Sequence, residues 1–162
     1  MKSNISTIFF LFFLVMICQI FIPVLNIYNF IVVADIMIIF LTYIGFYYGR
    51  FYSIIFGFMI GFFQDLVVQV DLIGAMAFTK SIIGYGLGTL ALYNNVWSSK
   101  FRILFIFVFY VVHFIIFYYI RFNGVPIEFF NIVNIVIINA FLSFIILIIF
   151  DKSFINKGIF SK

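Results

Sequence analysis

Few side chains in this chain can do chemistry, and those that can are set inside or beside apolar runs. Asp35, Asp65, Asp71 and Lys80 lie within a glycine-rich third of the sequence, and His113 stands alone further on. Carboxylates and an amine in apolar surroundings suit an ion pair, because an isolated charge there is costly and a paired one is less so. His113 has no second histidine and no carboxylate in its own run. It offers an interhelical hydrogen bond, or a metal or proton-relay role. Catalysis has little to work with. There is no HExxH, no GxSxG and no phosphate-loop lysine. Asp65 and Asp71 are six residues apart with no other catalytic partner type nearby. A membrane transferase working on metal-bound phosphates needs more acidic residues on facing helices. Cys18 is a lone cysteine in an apolar run, read as packing, and neither a disulfide framework nor a metal site is expected.

The elements that must position these residues are membrane helices. The chain has 162 residues, 67% hydrophobic and 9% charged, with a mean hydropathy of +1.35. Soluble domains carry roughly 25% charged residues. The composition therefore predicts an all-α integral membrane protein forming one polytopic domain over 1–162. A span takes about 20 apolar residues, which gives six helices at about 5–22, 31–48, 51–68, 74–93, 101–120 and 129–150. Lys2 before the first run raises a signal peptide. Ile5–Leu25 is too long for a typical apolar region of that kind and no small-x-small site follows, so the run is read as a retained span. Spans two and three contain charge-free runs of only 14 residues. They still favour insertion. Each Ile, Leu, Phe or Val contributes about −0.3 to −0.6 kcal/mol, and one carboxylate near an end costs less than its central value of about +2.5 to +3.5 kcal/mol.

Basic residues test the topology. With the N-terminus inside, the inner segments hold seven of them (Lys2, Arg50, Lys100, Arg102, Lys152, Lys157, Lys162), and the outer loops hold only Arg121. Positive residues favour the cytoplasmic side, so both termini are expected there. The net charge of +4 is scattered and forms no patch for nucleic acid.

Eight of the ten glycines fall between Gly45 and Gly88 and form three small-xxx-small pairs: Gly45/Gly49, Gly57/Gly61 and Gly84/Gly88. Such pairs let helix backbones approach. At about 100° per residue, Asp35, Thr42, Gly45 and Gly49 share one face of the second helix. Gly57, Gly61, Gln64 and Asp65 share a face of the third, and Ala77, Lys80, Gly84 and Gly88 a face of the fourth. Asp35, Asp65 and Lys80 also fall at one depth, towards the outer side. Lys80 is thus expected to pair with Asp65, Asp71 or Asp35 at the outer end of a packed core of helices two to four. The plainer reading of these features is architecture, since glycine pairs are common in membrane helices and a charged pair can merely fix register; a groove that binds a partner or ligand there is the alternative. The fourth helix, with its glycines, Thr79, Lys80 and Ser81, should lie inside the bundle. Asn131, Asn134 and Asn139 can line a polar path or bind helices together. Asp151 and Lys152 look like an interface marker after the last span.

From Ala34 to Gly88 the order and spacing resemble the rod shape-determining protein MreD family. The acidic opening Ala34-Asp35-Ile36 is followed by Gly45 and Gly49. Next come Gly57-Phe58 and Gly61-Phe62-Phe63-Gln64-Asp65, then Leu72-Ile73-Gly74-Ala75, and finally Gly84-Tyr85-Gly86-Leu87-Gly88. Ala34 stands where the family often has proline, and Gln64 where an apolar residue is usual. The resemblance implies a non-enzymatic protein of the bacterial cytoplasmic (inner) membrane, without cofactor or metal. It would associate with MreC, a single-span protein with a large periplasmic domain. Through it, cytoplasmic MreB filaments would be linked to the wall synthase RodA and its transpeptidase partner. The family is also thought to share a fold with the substrate-binding subunits of energy-coupling-factor transporters. That implies a second function, a small-molecule-binding subunit of a membrane transporter. The short outer loops, about 23–30, 69–73 and 121–128, favour the first.

Overall fold

Long apolar runs broken by short polar stretches fold as helices, because a helix satisfies its backbone hydrogen bonds internally. The computed structural model describes residues 5–23, 25–27, 30–68, 73–122, 128–154 and 159. Among them are six helices: α1 (Ile5–Ile20), α2 (Ile36–Tyr48), α3 (Arg50–Val68), α4 (Ala75–Leu92), α5 (Ser99–Arg121) and α6 (Phe129–Phe154). Between α1 and α2 a small antiparallel ribbon pairs β1 (Leu25–Ile27) with β2 (Phe30–Val32). The helices α3, α4, α5 and α6 are long and apolar enough to cross a membrane; α1 and α2 are shorter apolar helices. Outward-facing side chains are large and apolar, among them Phe10, Phe13, Ile17, Phe58, Phe62 and Phe141. Water does not tolerate so continuous an apolar exterior. This is a helical membrane protein.

The second helix corrects the expected boundary. Its span was placed at about 31–48, but the helix begins only at Ile36. Phe30–Val32 is strand, and Val33–Asp35 has no regular structure. β-Branched residues suit extended backbone as well as they suit an apolar helix. Asp35 then caps the helix, its Oδ1 accepting from Ile38 N at 3.2 Å.

Gly49 alone joins α2 to α3. It closes α2 with φ 85°, its N–H donating to Gly45 O at 3.1 Å, and α3 starts at the next residue. A positive φ of this size suits glycine and strains other residues. A Cβ on Gly49 would meet nothing within 4 Å. Gly49 was expected to be a packing glycine; the structure makes it a helix terminator.

The tightest packing is between α3 and α4, which run antiparallel. A Cβ on Gly57 would stand 2.5 Å from Lys80 O. One on Gly61 would collide with the backbone of Met76 and Ala77. From the other side, a Cβ on Gly84 would strike Ser53, and one on Gly88 would strike Arg50. The two glycine pairs thus follow one another along one seam, the α3 pair towards Asp65 and the α4 pair towards Arg50. Gly45 on α2 packs against the same seam, its missing Cβ falling 3.2 Å from Gly88 N. As a result α4 is central: 61% of its spanning residues are buried, against 33–39% for the other three long helices.

Candidate functional site

Two ends of the bundle can be distinguished by the residues found there. One is the Asp65 end, where α3 finishes and α4 begins. The other is the Arg50 end, around the Gly49 turn. Asp35, Asp65 and Lys80 gather towards the Asp65 end.

Asp35 is the hub. While Oδ1 caps α2, Oδ2 accepts from Lys80 Nζ at 2.5 Å. His113 Nε2 lies 3.3 Å from the same oxygen, within ion-pair distance. Its alignment is poor for a hydrogen bond, and neither His113 ring nitrogen has such a partner among the described residues. Asp35, Lys80 and His113 are 3%, 0% and 0% exposed, so the charges are out of reach of bulk water. Three elements meet here: the cap of α2, the second turn of α4 and the middle of α5. Of the three carboxylates offered to Lys80 by the sequence, the structure selects Asp35.

Asp65 has another task. Its carboxylate accepts three backbone N–H groups, from Gly74 (3.0 Å), Met76 (3.0 Å) and Ala77 (3.1 Å). These are the free donors at the start of α4, and a carboxylate also suits the positive end of the helix dipole. Gly74, at φ 104°, turns the chain into that position. Asp65 therefore caps α4 from the neighbouring helix instead of pairing with Lys80. Asp71 lies outside the described residues.

The surroundings of Asp35 are barely legible in the sequence. The irregular segment Val33–Ile36 exposes backbone donors and acceptors inside an apolar bundle, and side chains from two other helices satisfy them. Gln19 of α1 donates to Ala34 O (3.0 Å) and accepts from Ile36 N (2.8 Å). On α6, Asn139 Oδ1 accepts from Val33 N (2.9 Å) and Ser143 Oγ from Asp35 N (3.2 Å). Asn139 had been read as helix glue or polar path. Gln19 and Ser143 had not been singled out, and their only signal was polarity within an apolar run. Lower on α2, Thr42 Oγ1 and Tyr110 Oη are 2.9 Å apart and tie α2 to α5.

A second polar group sits at the Arg50 end. Asp151 Oδ1 accepts from Tyr43 Oη at 3.0 Å and from Ile159 N at 2.8 Å. Arg102, 1% exposed, donates to Ser99 Oγ at 3.1 Å. Asp151 does not follow the last helix, as the sequence suggests it should. It is 4% exposed and lies within α6, which continues to Phe154.

No group of three His, Cys, Asp or Glu residues is placed to hold a metal among the described residues. The arrangement neutralises charge and locks helix ends.

Fold and site together define a class: a helical membrane protein whose central helix is fixed by glycine seams, a carboxylate cap and a buried ion pair. No family model, no curated protein and no solved structure matches the chain.

Proposed function

We propose that the protein is a non-enzymatic scaffold of the bacterial inner membrane, of the MreD type, acting in the cell-elongation complex. In this reading it crosses the membrane six times with both termini in the cytoplasm. It binds MreC within the bilayer and through it helps couple MreB filaments to RodA and its transpeptidase partner. One observation carries the reading. The motif residues Asp35, Gly57, Gly61, Asp65, Gly74, Gly84 and Gly88 behind the resemblance build the frame. Asp35 caps α2 and holds Lys80, Gly57, Gly61, Gly84 and Gly88 make the α3–α4 seam, and Asp65 with Gly74 starts α4. A motif made of frame residues suits a protein that presents a fixed surface to partners.

The test is co-expression with the MreC encoded by the same genome, followed by affinity purification in mild detergent. A stable stoichiometric complex is expected, and depletion in a rod-forming host should give round cells. A protein that never co-purifies with MreC, in cells that stay rod-shaped after its depletion, would overturn the proposal.

A further inference from the structure

A cavity of about 440 Å³ lies at the Asp65 end, between the last turns of α1, α3 and α5 and the Val33–Asp35 segment. Small-molecule sites commonly measure about 300–1,000 Å³. Its rim is formed by Ile20, Val67, Arg121 and Phe122. Ile20 and Val67 are well exposed, whereas the inner wall of Gln64, Met76, Phe117 and Asn139 is buried.

The polar groups of the wall differ in whether they are satisfied. Gln19 is occupied by Ala34 and Ile36, Asn139 by Val33 and Tyr118, and Asp35 by Ile38 and Lys80. Gln64 is the exception. It is 8% exposed and lines the cavity, and its Oε1 has no hydrogen-bond partner among the described residues. A buried acceptor without a donor costs about 1–3 kcal/mol, so the site is short of an N–H or O–H. Along α5 the rings of Phe114, Tyr118 and Phe122 stack in series, with centroids 6.2 and 5.5 Å apart, and all three line the cavity. At the mouth, the Arg121 guanidinium is held 5.8 Å from the Phe117 ring centroid. No carboxylate pairs with it among the described residues.

We propose that this cavity binds a compact planar ring compound, with a hydrogen-bond donor directed inward at Gln64 and an anionic group directed outward at Arg121. Ring faces match the aromatic ladder of α5. A lipid acyl chain fits worse, because it carries no donor for the Gln64 Oε1 in the inner wall. The proposal does not depend on the cell-elongation reading; loss of MreC binding would leave it standing.

The probe is indole-3-acetate, which has a flat bicycle, an N–H and a carboxylate. Binding is read by equilibrium dialysis of the full chain in lipid nanodiscs, with empty nanodiscs as blank and palmitate as the acyl-chain arm. Saturable binding of indole-3-acetate that palmitate does not displace is expected. Gln64→Leu and Arg121→Gln should each weaken it about fivefold or more, and Val67→Trp, at the exposed rim, should abolish it. Lys152→Gln, on α6 at the Arg50 end, should leave it unchanged. Size-exclusion profiles and far-UV circular dichroism identify any variant that fails to fold, and Val67→Trp and Arg121→Gln alter exposed positions. Competition by palmitate would replace the ring compound with a lipid chain. No saturable binding of either probe to folded protein would make the cavity a water-filled vestibule. Either result overturns the proposal.

Discussion

Asp35 uses its two oxygens differently. One belongs to the backbone, closing the first turn of α2, and the other belongs to Lys80 and His113. Losing this carboxylate therefore removes a cap and strands a buried amine at once. Breaking one side of a buried pair costs about 3–5 kcal/mol, whereas replacing both sides with uncharged groups is often neutral. Asp35→Asn and Lys80→Met should each destabilise the detergent-solubilised protein by about that amount. The double variant should recover most of the loss, because Asn can still cap α2. Thermal unfolding of the four proteins in one detergent measures the coupling, and additive losses would show that the pair is not a unit. The sequence placed Asp35, Asp65 and Lys80 at one depth but could not choose Lys80's partner. The choice depends on where the chain turns: Asp65 is consumed by the start of α4, which only the folded position of Gly74 and the first turn of α4 reveals.

At the level of elements, α3 and α4 behave as a single hairpin with a glycine seam. The obstacle facing each missing Cβ is mostly backbone, which cannot rotate away as a side chain can. Overpacking of this kind costs about 1–3 kcal/mol. Gly61→Ala, which would drive into Met76 and Ala77, should sit at or above the top of that range. Gly45→Ala meets its neighbours at 3.2 Å or more and should cost less. Gly49→Ala meets no atom, so its loss should reflect backbone strain alone, about 1–3 kcal/mol. Unfolding midpoints of the three variants should follow the order Gly61, Gly49, Gly45 from most to least damaging. The packing faces were legible because helical phase and glycine spacing are local properties. The different role of Gly49 was not, since a glycine that packs and one that turns look alike until φ is known. The start of α2 was misplaced for a similar reason. Ile31, Val32 and Val33 continue an apolar run in either conformation, and the side chains that stabilise the extended form, Asn139 and Ser143, lie more than a hundred residues away.

For the whole molecule, the six-span reading assigns the Asp65 end to the outside and the Arg50 end to the cytoplasm. It can be checked with single cysteines in a Cys18→Ser background. Glu128→Cys, in an exposed position before α6, should react with a membrane-impermeant maleimide in intact cells stripped of the outer membrane. Asn95→Cys, in the exposed α4–α5 turn, should react only after lysis. The reverse pattern would invert the topology, and labelling of both from outside would reduce the number of spans. The class of protein was legible from composition, and so was the central place of α4. The cavity was not, because its wall is assembled from all six helices and the Val33–Asp35 segment.

The position of Lys80 also has a consequence for biogenesis. Lys80 emerges from the ribosome 45 residues after Asp35. An amine in the second turn of α4 weakens that helix's own partition into lipid, yet α4 must end at the centre of the bundle. The waiting carboxylate on an already inserted α2 provides the complementary charge, and the α3 seam provides the surface. Translocation machinery that released α3 into lipid before α4 arrived would leave both without support. Release of α3 and α4 from the insertion channel together, as a hairpin, is therefore the expected route.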